Sequence, residues 1–316
     1  MLSYIIRRIL IAIPVLLGIT FITFALITFA PGDPISAMLM GNEHLSPDLA
    51  DSLRDFYGLD QPWHVQYATY LGNLLQGNLG ISIASRASIG DSIRAFLPNT
   101  MVLAFSSMLV ALLIAIPVGI ISATRRNSLF DYGSLTVAMF GVSMPSFWLG
   151  LMLMLLFGLR LRVLPVYGMG EWSNGLWDII SHLILPSFTL GAGMAAMLVR
   201  LTRASLLQVL SQDYIRTARS KGLRQSVVLY KHALRNGLLP VVTAAGLQFG
   251  RLLGGAFIVE SIFSWPGMGK YALYAINVRD YPVIQATTLV FALSFIVVTL
   301  VVDISYTAID PRIRYD

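Results

Sequence analysis

Residues 200–240 read RLTRASLLQVLSQDYIRTARSKGLRQSVVLYKHALRNGLLP. From Arg200 to Arg235 this stretch carries eight Lys/Arg and a single acid, Asp213. Long apolar runs lie on both sides of it. A basic, helix-forming segment between two apolar runs must sit in water, and this one is long for a simple connector. Its side of the membrane decides the topology of the whole chain.

The surrounding composition is that of a membrane protein. Of the 316 residues, 56% are hydrophobic and only 12% are charged, and the mean hydropathy is +0.73. Soluble domains carry about 25% charged residues. Several charge-free runs approach or exceed the roughly 20 residues that cross a bilayer as a helix. The net charge of +6 is segregated by membrane side, so it is not a nucleic-acid signal. There is no cysteine, which excludes disulfides, thiolate catalysis and Cys-based metal sites.

The first span is expected over residues 9–30, retained rather than cleaved because its apolar run is too long for a signal-peptide core. The PGDP turn at 31–34 ends it. Residues 31–94 form a long external insert. Ser46-Pro47-Asp48 predicts a helix start there, Leu49, Leu53 and Phe56 its apolar stripe, and Gly58 its end. A second helix is expected over 62–75. Residues 61–85 carry no charge, yet Gln61, His64, Gln66, Asn73, Gln76 and Asn78 make the segment too polar to insert. Counting it as a span would invert everything downstream. Further spans are expected within 95–124, within 132–159 with a kink at Met144-Pro145, and over 179–199, 238–259 and 281–302. Trp172 and Trp177, between the third and fourth, suit a membrane interface.

Lys/Arg bias sets the orientation. With the N-terminus inside, the inner segments hold Arg7 and Arg8, Arg125 and Arg126, the eight of the long loop, and Arg312 and Arg314. The outer segments hold Arg54, Arg86, Arg94, Arg160, Arg162, Lys270 and Arg279, while the acids concentrate outside. Six spans with both termini in the cytoplasm satisfy this pattern, and the basic stretch is then cytoplasmic.

The spans offer little chemistry. His182 stands near a span end and Asp303 closes the last span; interface placement or capping accounts for both. Gly267-Met268-Gly269-Lys270 resembles the end of a phosphate-binding loop. However, Ser264 stands at the leading glycine position, Tyr271 follows the lysine, and the segment lies outside. No catalytic residue, metal site or cofactor is expected in this chain. Arg251 interrupts the fifth span among Gly246, Gly250, Gly254 and Gly255. A charge in a span is costly and usually faces a cavity or a partner. Two readings stand: a translocation-pathway role, with Gln248 and Glu260 beside it, or a structural ion pair with Glu260. In the basic stretch, Tyr214, Ile215, Ala218 and Leu223 share roughly one helical face, Arg216, Arg219 and Lys221 point elsewhere, and Gly222 ends the helix. Such a helix can lie on anionic lipid, satisfy the positive-inside rule, or act as a lever in a partner's groove.

A short helix, a glycine, a second helix and Leu239-Pro240 entering the next span together resemble the cytoplasmic EAA loop of type I ABC importer permeases. The match is to the peptide/nickel branch, B-type subunit. It rests on DYIRTARSKGL (213–223), KHALRNGLLPVVT (231–243), ESIFSWPGMGKYA (260–272), RDYPVIQ (279–285), DPRIRY (310–315), GLDQP (58–62) and PGDP (31–34). The sequence departs from the general EAA pattern at Arg216-Thr217-Ala218 and in a longer interval from Gly222 to Leu239-Pro240, both features of this branch.

The resemblance implies an all-α fold of six transmembrane helices with a small helical external insert. Residues 1–94 would hold the first span and the insert, 95–305 the transmembrane domain with the EAA loop at 200–240, and 306–316 a cytoplasmic tail. It implies a non-enzymatic permease of the prokaryotic cytoplasmic membrane, embedded in lipid, importing di- or oligopeptides. A nickel, metal-chelate or glutathione importer is the alternative within the class; a channel or pore is the alternative outside it. The implied partners are a second, homologous permease as heterodimer, two ATPase subunits that bind ATP and Mg, and an external binding protein. Gln212, Asp213, Tyr214, Ile215, Arg216, Thr217, Ala218, Arg219, Ser220, Lys221 and Gly222 would be the ATPase-coupling helix. Trp265, Pro266, Gly267 and Gly269 would form the external gate or binding-protein contact.

Overall fold

The computed structural model describes residues 2–29 and 60–309. The expected helix start at Ser46 and the PGDP turn lie outside them, as does the DPRIRY tail. The described residues are helical apart from loops and one isolated antiparallel bridge, Ile81 to Ser88.

The elements follow the apolar runs. Helix α1 spans Leu2–Thr28 and α2 Trp63–Leu75. Helix α3 spans Ile89–Thr124, α4 Leu129–Ser143 and α5 Ser146–Leu153, the last continuing through a π-helical turn to Arg160. Helix α6 covers Leu176–Leu210 and α7 Asp213–Ser220. Helix α8, Gln225–Gly237, contains a second π-helical turn at Val228–Ala233. Then come α9 at Leu239–Gly255, α10 at Phe257–Ile262, α11 at Met268–Asn277 and α12 at Tyr281–Ile309.

Among the described residues four helices are long and apolar enough to cross a membrane: α1, α3, α6 and α12. The number rises to six if each of two bent pairs counts as one span. Helix α2, with 13 residues, is too short to cross, so the polar decoy at 61–85 is not a span. The third span differs from expectation. Instead of a kinked helix, α4 and α5 meet at 103°. Met144 is extended at the break (φ −80, ψ 123) and Pro145 follows it. A residue before proline is pushed out of the helical region, and proline itself has no N–H to continue the ladder. The α8–α9 pair is bent by 46°, with Pro240 in the first turn of α9.

The described chain divides into two compact units, Met1–Pro98 with Lys270–Ser294, and Asn99–Gly269 with Phe295–Asp316. In the first, α2 lays Tyr67 and Tyr70 on the C-terminal half of α1. The Tyr67 hydroxyl donates to Leu17 O at 3.3 Å and lies 3.1 Å from Thr20 Oγ1, and both rings contact Phe24. Burial, helped by the neighbouring Tyr67, pushes the Tyr70 hydroxyl up to about 12. Asp280 organises the 82–84 turn of this unit. Its buried carboxylate accepts the Ser82 hydroxyl at 2.6 Å and the Ile83 and Ala84 amides at 3.2 and 3.1 Å.

The second unit is built on α3, α6 and α9. Ala104, Ala111 and Ala115 of α3, Ala195 and Leu198 of α6, and Val241 and Ala245 of α9 share one buried cluster. Small residues set the spacing, because lipid is as apolar as leucine and helices associate in it through close packing. A Cβ on Gly119 would sit 2.6 Å from Thr202 Cβ, and one on Gly246 would sit 2.1 Å from Val302 Cγ2. Helix α4 packs along α6. An apolar groove lined by Val118, Val137, Ala138, Ala192 and Ala196 runs beside it.

Candidate functional sites

The short helix expected within 212–222 is present as α7. Gly222 closes it at φ +75, the left-handed conformation that favours glycine at a helix C-terminus, and its N–H donates to Arg219 O at 2.9 Å. Within the stretch 212–222 only Ile215 and Ala218 are buried, at 0% and 7% exposure. They enter an apolar root with Ile120 and Ala123 of α3, Leu206 of α6, and Val228, Leu229 and Ala233 of α8. Gln212, Asp213, Tyr214, Arg216, Thr217, Arg219, Ser220, Lys221 and Gly222 all face outward. Tyr214 and Leu223, expected on the apolar face, are instead exposed at 43% and 40%. Tyr214 Oη accepts from Asn236 Nδ2 at 2.9 Å, so a polar hold from the end of α8 replaces burial. Arg216 and Asp213 approach to 3.6 Å, an exposed pair that contributes little.

Of the three candidate pathway residues, two stay on one helix and the third goes elsewhere. Arg251 is exposed and makes no ion pair among the described residues. Gln248, half-buried, directs Nε2 at Met197 Sδ of α6, 3.4 Å away. Exposed Leu247, Arg251 and Gly254 of α9 recur at i, i+4 and i+7, one stripe left for something outside the chain. Glu260 is not part of that stripe and is not the partner of Arg251. It is fully buried and accepts the Thr100 hydroxyl at 2.8 Å.

That contact belongs to a latch between the start of α3 and the loop after α10. Thr100 Oγ1 also accepts from Met268 N at 2.8 Å, Asn99 Nδ2 donates to Pro266 O at 2.8 Å, and Trp265 Nε1 donates to Asn99 O at 3.0 Å. Trp265 is 0% exposed, Gly267 and Gly269 are buried, and Pro266 is half-buried. Of the expected external gate or binding-protein contact, three of the four residues are thus enclosed and present no contact surface of their own. A Cβ on Gly267 would lie 2.4 Å from Glu260 Cδ, and one on Gly269 2.7 Å from Phe257 Cα. These glycines let the loop close over the buried carboxylate, and an aromatic ring fills the space beneath it.

Sequence reasoning missed one site altogether. Asp131, in the first turn of α4, is fully buried. Arg203 of α6 grips it in a fork, Nε to Oδ1 at 2.5 Å and Nη2 to Oδ2 at 2.7 Å. The Ser122 hydroxyl of α3 donates to Oδ1, and the Asn127 amide donates to Oδ2 at 2.9 Å. The available signal was an acid just after Arg125-Arg126, three residues past Ser128, whose hydroxyl accepts from Asp131 N. His182 Nδ1 donates to Asp178 O at 2.8 Å, a local helix contact. Among the described residues no three His, Asp or Glu side chains converge as a metal site would require.

Comparison with solved structures places the fold. An inward-facing structure of the MetNI methionine ABC transporter aligns with a TM-score of 0.51 at 17% identity, covering 67% of this chain and 93% of that one. The architecture is thus that of the transmembrane subunit of an ABC transporter. Residues 115–315 match the family described as "Binding-protein-dependent transport system inner membrane component", and residues 1–104 match its N-terminal companion. The chain belongs to this family and is a multi-pass inner-membrane component of an importer. Full-length relatives include a dipeptide transport system permease of Alkalihalophilus pseudofirmus, 45% identical, with 100% of both chains covered. An oligopeptide permease of Bacillus subtilis and a glutathione permease of Escherichia coli K12 are each 44% identical, again over 100% of both chains.

Proposed function

We propose that this permease carries di- or oligopeptides across the inner membrane, driven by two separate ATPase subunits that bind ATP and Mg. A second, homologous permease completes the pathway, and an external binding protein delivers the cargo. The observation that carries the coupling part is the asymmetry of α7. Two side chains root it in the protein, and the other nine residues of 212–222 face water. A rigid helix held this way transmits a push from its exposed face into α3, α6 and α8 without bending. The relatives' names favour peptides as cargo, glutathione among them.

The test is to replace Ala218 with Trp and, separately, Gly222 with Val. The first has no room in the root, and the second strains a left-handed residue by about 1–2 kcal/mol. Both variants are expected to lose most ATPase co-purification and most peptide uptake while remaining in the membrane. Normal values for both quantities would refute the lever.

The exposed stripe of α9 is assigned to the pathway between the two permeases. Arg251 lies about 18 Å along α9 from its start, at ~1.5 Å per residue, too deep for a side chain that merely reaches the inner interface. Its charge favours a polar surround over lipid. Arg251→Leu is expected to lower peptide uptake about tenfold with ATPase co-purification intact. Uptake equal to or above wild type would place the stripe against lipid.

A further inference from the structure

The root of α7 draws residues from α3, α6 and α8, and among the described residues it includes none from α4. Helix α4 packs instead along α6. Its outer end stops at a 103° break, and a groove runs along its flank. Near that end its close approach is Gly141 to Ala196. At its cytoplasmic end the tie is the polar knot of Ser122, Asp131 and Arg203, one side chain from each of three helices.

The position of this knot links it to the lever. Ser122 immediately precedes Ala123, and Arg203 stands one turn before Leu206; both Ala123 and Leu206 belong to the root. Asp131 receives four donors, two from one guanidinium. A planar fork on a carboxylate fixes direction as well as distance, so the joint resists rotation as an apolar contact would not. Ser134 reinforces it, donating to Asp131 O at 2.9 Å with its Oγ 3.1 Å from Ser122 Oγ.

We propose that the Asp131–Arg203 pair, closed by Ser122, is a positioning clamp that carries displacement of the α7 root into α4. This rests on the reading of α7 as the coupling helix. The clamp makes the inner ends of α3, α4 and α6 one body, so a push on α7 swings α4 about its break at Met144-Pro145. Rigid-body movement of packed helices about a few element-terminal residues is a common transport geometry. A pair serving stability alone would be dispensable, since buried ion pairs replaced by apolar residues of similar volume often cost nothing.

That contrast supplies the experiment, run on the complete transporter in proteoliposomes. Asp131→Ala leaves Arg203 buried beside an empty site and is expected to lower the assembled amount. The double variant Asp131→Leu/Arg203→Met removes both charges. It is expected to restore assembly and ATP hydrolysis to within about twofold of wild type, while peptide transported per ATP stays down about tenfold. Recovery of transport together with assembly would overturn the clamp. Should the double variant fail to assemble, spin labels at Thr136→Cys on α4 and Lys231→Cys on α8, both exposed positions, decide the matter in an otherwise wild-type protein. Their separation is expected to hold within about 2 Å between nucleotide-free and ATP-trapped states, and a change of about 5 Å, one helical turn, would overturn the clamp. Retention of both the ATPases and normal peptide uptake by Ala218→Trp would instead refute the coupling reading itself, whatever the labels report.

Discussion

Gly191→Leu is expected to reduce the protein in the membrane fraction about tenfold, the overpacking of a backbone contact exceeding the usual 1–3 kcal/mol for a crowded core. Gly191 lies in α6 against α3, where a Cβ would come within 2.7 Å of Ser107 O and 3.2 Å of Val110 Cγ1. The first of these is backbone and cannot rotate aside. Moving α3 away would open the cluster around Ala104, Ala111, Ala195 and Leu198. In lipid no solvent-driven burial compensates for that loss, because helix association depends on close fit. Gly191→Ala is expected to be intermediate. Gly18→Ala in α1, where nothing lies within 4 Å, should accumulate within about twofold of wild type. Immunoblotting of washed membranes checks the series, and normal accumulation of Gly191→Leu would disprove the close approach.

Glu260→Ala is expected to abolish most peptide uptake while leaving the ATPases attached. Removing the carboxylate takes away the acceptor of the Thr100 hydroxyl and leaves a void beneath Gly267 and Gly269, whose missing side chains exist to clear it. Leaving the buried Thr100 donor unsatisfied costs about 1–3 kcal/mol, enough together with the void to release the 260–269 loop locally. The α7 root draws on none of these residues, so coupling-helix docking should survive. Limited proteolysis at the loop and ATPase co-purification separate the two effects. An uncleaved loop with full uptake would show that the latch has no role, and simultaneous loss of the ATPases would show global misfolding instead. Gly269→Val reaches the same end by sterics, since its Cβ meets the Phe257 backbone at 2.7 and 2.9 Å.

Helix α7, proposed to couple the ATPases, was legible because every signal for it is local. Charge density placed 200–240 in water, apolar spacing picked out Ile215 and Ala218, and a glycine marked the end. The same locality misled at Tyr214, which is apolar enough for the root but reaches Asn236, 22 residues away, with its hydroxyl. Pro145 announced an interruption of the third span. Its angle depended on how α5 and the turn to Arg160 repack, and no local rule supplies that.

The latch and the clamp show the other limit. Glu260 and Arg251, nine residues apart in one apolar segment, invited pairing. In the structure Glu260 binds Thr100, 160 residues upstream, and Asp131 binds Arg203, 72 residues downstream. A buried charge takes whichever donor the packed helices bring to it, and sequence separation does not indicate which. The sequence by itself determined what depends on transfer between water and lipid: the membrane class, the apolar segments, their orientation, and the stretch exposed to the cytoplasm. Those free energies are summed residue by residue along the chain. Only the tertiary structure decided which helices touch, which glycines admit a neighbour, and which carboxylates are enclosed, because close packing and buried hydrogen bonds exist only between segments already brought together. The basic stretch owes its place in water to its composition, and its grip on the transmembrane helices to Ile120, Ala123 and Leu206, supplied by α3 and α6.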